Sequence, residues 1–304
     1  MEVIHIDLNK DIPHFDNLTL ALGTFDGFHK AHAKLAYKAR LEASSYSGIL
    51  LFSLSPENFL SRGKSKEVLT SLDDKIRYIS KVGLDYCFVI DVDDSFFSLT
   101  PLEFIKKILV PLGVTTCVTG KDYSFGKNGA GDIYLLQKYF KVFALDIEYI
   151  GNDKISSSLI KEYIRLGEMK KAWKMLLHPY EIYGLVVQGF QNGRKIEFPT
   201  ANIRLDTNYV LPKNGVYFGL SYINGIPYKS MINVGTNPTI GMLDKPLVES
   251  HIFNFDEDIY NKHIYIAFLD FIREEKKFDS LSELKLQLEK DKKRIEDLSS
   301  TQID

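Results

Sequence analysis

The chain has 304 residues, 45% of them hydrophobic and 26% charged, which is globular composition and long enough for two domains with separate cores. Its 38 basic and 40 acidic residues leave a formal charge of -2, so no global positive field exists to concentrate a nucleic acid or an anionic membrane, and neither is expected as a partner. The opening MEVIHIDLNKDIPHF lacks the basic start and apolar core of a signal peptide, and no segment approaches the length of a membrane span.

In chain order from Leu18, short apolar runs alternate with amphipathic stretches. LTLALG (18–23) precedes HKAHAKLAYKARLEA, GILLFSL (48–54) precedes a helix near 72–82, and DYCFVIDV (85–92) precedes PLEFIKKILVPLG. VTTCVTG (114–120), a helix near 132–140 and VFALDIEYI (142–150) follow. Strands separated by helical patterns predict crossover units and an open parallel, Rossmann-like α/β sheet. Cys87 and Cys117 lie within two of these strands, where buried, reduced thiols and hence a reducing cytoplasm are expected. SSSLIKEYIRLGEMKKAWKMLLH then predicts two short helices broken around Gly167. Beyond it the pattern changes to strands at short spacing: EIYGLVVQGF, GVYFGLSYI, IPYKSMINVG, VESHIFNF and HIYIAFLDFI, closed by one charged helix. That pattern predicts a small antiparallel β-barrel with a C-terminal helix, and a domain boundary at residues 178/179.

Ligands of open parallel sheets bind beyond the carboxyl ends of the strands, where GTFDGFHKAH (23–32) and GKDYSFGKNGAGD (120–132) fall. In the first, a strand ends at Gly23, Asp26 and Gly27 make the turn, and a helix opens near His29 with His32 on the same face. Two imidazoles over free helix amides suit phosphate oxygens and the negative charge that develops in phosphoryl or adenylyl transfer. Taken alone, the pair reads first as a helix cap (His29) and a packed ring (His32). In the second stretch, glycines let amides approach a ligand, and Tyr123 or Phe125 is placed to stack on a planar ring. A third stretch, ISSSLIKEYI (155–164), caps a helix with serines and leaves Lys161 one turn inside.

Together the three stretches resemble the FMN adenylyltransferase half of the bacterial bifunctional riboflavin kinase/FAD synthetases, in the nucleotidyltransferase superfamily. That family carries G-x-F-D-G-x-H-x-G-H, G-x-D/N-F-x-F-G and S-S-T-x-x-R in this order. The resemblance implies that His29 and His32 contact the ATP phosphates and that Gly23, Phe25, Asp26 and Gly27 belong to the same substrate- and nucleotide-binding site. It also implies that Asp122 sits at the flavin/nucleotide site and that Ser157, Ser158 and Lys161 line the triphosphate. Ala31 stands where the family has glycine, Ser158 where it has threonine and Lys161 where it has arginine; FSLSPENF (52–59) replaces F-x-P-H-P without its histidine. Lysine keeps the charge of arginine but loses the planar fork that grips two phosphate oxygens.

In the second half, GRKIEFPTANI (193–203) places Thr200 and Asn202 in a short segment whose oxygens suit Mg²⁺ and nucleotide phosphates. LVESHIFNF (247–255) carries Glu249 on a strand whose alternation can aim it at the barrel mouth, where a carboxylate facing a bound primary hydroxyl can act as general base; taken alone, PTAN reads first as a turn and Glu249 as a solvated strand residue. This half resembles the riboflavin kinase module over nearly its whole length, through the PTAN segment, LPKNGVYFG, MINVGTNPTIG and the run from Val248 into a helix containing Asp291. The resemblance implies a six-stranded barrel in which Thr200 and Asn202 hold Mg-ATP and Glu249 deprotonates the ribityl 5′-hydroxyl. Glu197 and Asn261 replace family glycines.

The expectation is therefore a cytoplasmic enzyme with an adenylyltransferase domain at residues 1–178 and a riboflavin kinase domain at 179–304. Its ligands are riboflavin, FMN, FAD and ATP with Mg²⁺; nothing in the chain bears on its oligomeric state. The alternatives are a kinase whose N-terminal domain only binds, and a flavin-sensing regulator, against which the retained Glu249 and PTAN argue. RGKSK (62–66) lacks the first glycine of a P-loop, and no histidine or cysteine spacing suits zinc.

Overall fold

A computed structural model of the chain describes residues 1–54, 66–189, 197–235 and 247–302. Most of FSLSPENF and RGKSK, the glycine turn at 193 and the stretch at 236–246 lie outside the described residues. The chain divides into two compact units, Met1–Ser157 and Ser158–Asp304.

The first unit is built on six parallel strands: β1 (Glu2–Ile6), β2 (Leu18–Leu22), β3 (Tyr46–Phe52), β4 (Tyr86–Ile90), β5 (Val114–Gly120) and β6 (Lys141–Leu145). Their order is β1-β4-β3-β2-β5-β6. The chain grows from β2 toward β4, then returns to lay β5 against the other side of β2, so the crevice beyond β2 and β5 is the topological switch point. Both faces are covered. Leu18, Leu20 and Leu22 of β2 pack with Phe104, Ile105 and Ile108, while Ala21 packs with Ala33, Ala36 and Ala39 of α1 (Lys30–Glu42). Such two-sided burial explains why these strands read as continuous apolar runs.

β1 went unread at the sequence level. It is half exposed, an edge strand held by parallel pairing of Ile4 with Phe88 and Ile6 with Ile90. α2 (Leu72–Ser80) starts at a capping box between Ser71 and Asp74, as its sequence predicts. α3 (Asp94–Ser98) and α4 (Pro101–Phe104) follow, the latter running into one π-helical turn at Ile105–Leu109. The helix expected near 132–140 is only α5 (Ile133–Leu136). The last strand expected at 142–150 ends at Leu145, and a small hairpin of β7 (Tyr149–Ile150) and β8 (Asp153–Lys154) turns at Gly151, whose φ is 61°.

α6 (Ser157–Arg165) and α7 (Met169–Met175) break at Gly167, whose φ of 75° is the left-handed conformation that glycine adopts without strain. Six antiparallel strands follow: β9 (Tyr180–Val187), β10 (Ala201–Leu205), β11 (Gly215–Ile223), β12 (Ile226–Gly235), β13 (Leu247–Ile252) and β14 (His263–Arg273). They close a barrel in the order β10-β13-β12-β11-β14-β9. Val186, Ile203, Ile232, Val248 and Phe268 fill it, around a buried hydroxyl cluster of Ser221, Ser230 and Ser250 with oxygens 2.8–2.9 Å apart. On the outer wall Phe218, Met231, Phe253 and Leu269 take Leu284, Leu288 and Ile295 of α8 (Leu281–Gln302). A buried ion pair, Arg273 Nε to Asp291 Oδ2 at 2.8 Å, pins that helix.

Candidate active sites in the two halves

Between β2 and α1 the backbone takes three left-handed residues, Phe25 (φ 52°), Gly27 (79°) and Phe28 (35°). Aromatic residues rarely adopt this conformation, and here both rings are fully buried against α1 and the sheet, which offsets the strain. The bare Cα of Gly23 lets the Phe25 ring lie over it, and a Cβ on Gly27 would meet Leu69 Cδ1 at 2.6 Å. Asp26 is turned away from the crevice mouth: its Oδ1 accepts from the amides of Leu69 and Thr70 at 3.0 and 3.2 Å, while Gly27 N donates to Thr70 Oγ1. Its carboxylate thus holds the loop to the start of α2.

His29 is the N-cap of α1, its Nδ1 accepting from His32 N at 3.3 Å. Accepting there leaves the proton of a neutral His29 on Nε2. His32 stacks on it, and its own Nδ1 is buried without a hydrogen bond among the described residues. Burial lowers the His29 pKa to about 4 against the pull of Asp26; burial, then His29 and Lys75, push His32 well below its usual range. Both are neutral donors at pH 7, so the cap and the phosphate-contact readings are compatible. Ala31 occupies an ordinary helical position, so its methyl costs the backbone nothing.

Asp122 lies just beyond β5 and is paired with Lys154 at 2.7 Å, which holds its carboxyl below the usual range. Of the two aromatic rings expected to stack on a planar ligand, only Tyr123 stays partly exposed. Phe125 is buried against Phe104, and Tyr123 stacks on Phe125, so these rings complete the core. Ser157 Oγ donates to the Asp26 carbonyl at 2.8 Å, tying the serine segment to the histidine loop; Ser158 and Lys161 continue along α6. Sequence reading missed Lys75 on α2, a buried lysine whose Nζ lies 3.4 Å from the Thr24 carbonyl. Its charge acts on His32, yet 51 residues separate it from Thr24.

In the barrel, Asn202 pairs in register with Glu249 and Glu249 with Asn233, so the three side chains form one row across β10, β13 and β12. The row lies on the outer wall. Val248, Ser250 and Ile252 alternate inward with the core, which leaves Glu249 on the opposite face of the strand. Burial raises the Glu249 pKa. Asn233 was not singled out from sequence, because only the register sets it beside Glu249. The PTAN segment is not merely a turn: Asn202 is the second residue of β10, its amide packed so closely on Gly189 that a Cβ there would lie 2.1 Å from Asn202 Nδ2.

His251 Nδ1 donates to the Pro199 carbonyl at 2.8 Å and fixes the PTAN segment to β13; burial lowers its pKa. A pocket of about 460 Å³ opens there, lined by Pro199, Thr200, Ala201, Ser250, Ile252 and Phe255. A second, of about 400 Å³, lies across Pro199 and is lined by Glu197, Phe198, His251, Asn254 and Lys292. Glu197 and Asn261 both have positive φ, 65° and 59°, which explains a preference for glycine at these two positions. No cluster of three or more histidine, cysteine or carboxylate side chains suited to a metal occurs among the described residues.

Comparison with known proteins finds two consecutive matches: residues 11–161 to the family described as FAD synthetase, and residues 176–299 to the family described as riboflavin kinase. A protein of Listeria monocytogenes named bifunctional riboflavin kinase/FMN adenylyltransferase is 37% identical over 283 residues, 90% of each chain. Proteins of the same name from Bacillus subtilis and Escherichia coli K12 are 34% and 33% identical, over 90% and 91% of each chain. A solved structure from Streptococcus pneumoniae, described as a macrolide-efflux protein, is 30% identical, with a TM-score of 0.87 over 96% of this chain and 98% of that one. Among the described residues of the present chain, no helix is long and apolar enough to cross a membrane.

Proposed function

This chain belongs to the bifunctional riboflavin kinase/FMN adenylyltransferase family, and on that premise we propose how its residues divide two ATP-dependent reactions. The C-terminal half phosphorylates riboflavin to FMN, and the N-terminal half adenylylates FMN to FAD with release of pyrophosphate. We set the boundary at 178/179, between the end of the FAD synthetase match at 161 and β9 at Tyr180; the riboflavin kinase match begins at 176.

In the barrel, Glu249 accepts the proton of the ribityl 5′-hydroxyl as its oxygen attacks the γ-phosphorus of ATP, the bond from that phosphorus to the β–γ bridging oxygen breaks and ADP leaves. Burial supports this role by making the carboxylate a better base, and Asn202 and Asn233 flank it with neutral amides. The Thr200 hydroxyl and the Asn202 carbonyl are hard oxygen donors, which fits Mg²⁺ taking its remaining ligands from water and phosphate. Thr200 and Asn202 are the residues that would hold it, where it supplies neutralising charge to the transferring phosphates. His251 keeps the segment bearing them in place through Pro199.

In the N-terminal half an FMN phosphate oxygen attacks the α-phosphorus of ATP directly, so the protein has to position charge rather than supply a nucleophile. His29 and His32 serve as neutral N–H donors at the start of α1, on the loop shaped by Gly23, Phe25 and Gly27 and anchored by Asp26. Ser157 closes that loop from α6; Ser158 and Lys161 on the same helix meet the triphosphate, and Asp122 lies toward the flavin. The buried thiols of Cys87 and Cys117, raised in pKa, support a reducing cytoplasm, and the net charge of -2 supports a protein without a nucleic-acid partner.

The tandem order of the two matched stretches, each with its own polar cluster, carries this reading. Incubating the full chain with MgATP and either riboflavin or FMN, then separating the flavins by chromatography, tests it. FMN and FAD are expected from riboflavin, and FAD from FMN; FMN alone from riboflavin, with no FAD from either, would reduce the N-terminal half to a binding domain.

A further inference from the structure

We infer that Lys75 binds phosphate in the adenylyltransferase site, supplying a positive charge beside the stacked pair of His29 and His32. The inference rests on the assignment of that site to the histidine loop.

The start of α2 is docked on the loop by two sets of bonds. Asp26 accepts from Leu69 and Thr70, and Thr70 Oγ1 accepts from Gly27 N. The capping box of Ser71 and Asp74 then fixes the first turn of the helix. One turn in, Lys75 reaches back with its Nζ 3.4 Å from the Thr24 carbonyl, and the side chain is 7% exposed. Its position is therefore set by the same contacts that shape the histidine loop.

Three features converge there. The ammonium is near enough to His32 to disfavour its protonation, the Nδ1 of His32 is buried without a hydrogen bond among the described residues, and His29 carries its proton on Nε2. A triphosphate brings several negative charges, and neutral imidazoles answer them with hydrogen bonds only. An immobilised ammonium beside those donors adds the Coulombic part, at a place where water is largely excluded. Bound phosphate would in turn stabilise the buried ammonium, so lysine and ligand gain from one another.

A purely structural role, holding the Thr24 carbonyl, is the competing account. Lys75→Gln keeps a donor for that carbonyl and removes the charge; Lys75→Arg keeps the charge. In the full chain, Lys75→Gln is expected to raise KM for ATP in FAD formation from FMN by about tenfold or more, and to weaken inhibition by pyrophosphate in parallel. Riboflavin phosphorylation should be unchanged, an unchanged kcat for FAD formation reports that the first unit is folded, and Lys75→Arg should keep a KM near that of the wild type. An unchanged KM and unchanged pyrophosphate inhibition in Lys75→Gln would overturn the proposal, as would a fall in kcat alone. If the wild type forms no FAD, the site assignment fails, and pyrophosphate binding by calorimetry decides the lysine separately. Binding lost in Lys75→Gln supports the role of the lysine; equal binding, or none in the wild type, overturns it.

Discussion

The imidazoles of His29 and His32 lie face to face, with ring centroids 3.6 Å apart and planes 14° from parallel. Two imidazolium cations would repel at that distance in a buried site, so the stacking and the depressed pKa values express the same condition. A neutral pair selects for hydrogen-bond acceptors and leaves charge to other residues.

That condition links stability to pH. The unfolded chain protonates His29 near its ordinary 6.5, whereas the folded protein resists until about 4. Between these values the unfolded state binds more protons, so stability falls as pH drops through the window, by at most about 1.4 kcal/mol per pH unit from this group. Below about pH 4 the contribution levels off. His29→Asn keeps a good N-cap and removes the titration, so its urea midpoint should fall less steeply between about pH 7 and pH 5; parallel slopes for the two proteins would refute the linkage.

For the barrel, Glu249→Gln should abolish FMN formation and spare FAD formation from supplied FMN. Because burial raises the Glu249 pKa, the wild-type rate should decline with acidification starting above the ordinary carboxylate value of 4.5. Product analysis of both reactions checks the first point and a pH–rate profile the second. Equal loss of both activities would contradict separate sites.

A subtler change reaches the same site through packing. A Cβ at residue 189 would lie 2.1–2.6 Å from all the amide atoms of Asn202, so Gly189→Ala must displace that amide. The expected outcome is a fall in riboflavin kinase kcat/KM of about tenfold or more, since misplacement by about 1 Å is enough for such losses. Adenylylation of FMN serves as the control and should hold.

Asp291 bonds Arg273 Nε at 2.8 Å and accepts from Gln287 Nε2 at 2.9 Å, with its side chain 4% exposed. Asp291→Ala leaves the half-buried Arg273 guanidinium with its Glu274 carbonyl bond and should destabilise the barrel by about 1.5–3 kcal/mol. Denaturant unfolding of the full chain, followed by loss of riboflavin kinase activity, measures it; a change below about 1 kcal/mol would mean the pair is compensated by solvent.

Lys161→Arg restores the planar fork that suits two phosphate oxygens. FAD formation from FMN is expected to rise, with FMN formation unaffected; an unchanged rate would mean that Lys161 does not meet the triphosphate.

Much of the architecture was legible because it is written locally. Apolar runs such as LTLAL and VTTCVTG, the Ser71 cap and the Gly167 break each carry their meaning within a few residues, and they mark out a parallel sheet followed by a barrel. β1 escaped because an edge strand buries little and so shows no clean periodicity. Phe125 misled because exposure of an aromatic ring is set by what packs over it, here Phe104 from another element.

The sequence by itself determined that two halves exist, in which order, and which short segments carry polar side chains suited to phosphate chemistry. Tertiary structure decided how those side chains face and what surrounds them. Alternation separates Glu249 from Val248 and Ser250, yet only closure of the barrel decides which set turns inward; only strand register places Asn202 and Asn233 beside the carboxylate. The neutrality of His29 and His32 likewise follows from burial, and the approach of Lys75 to Thr24 from helix docking. Desolvation and long-range contact depend on what the rest of the chain brings near, and neither is encoded in any one stretch of residues.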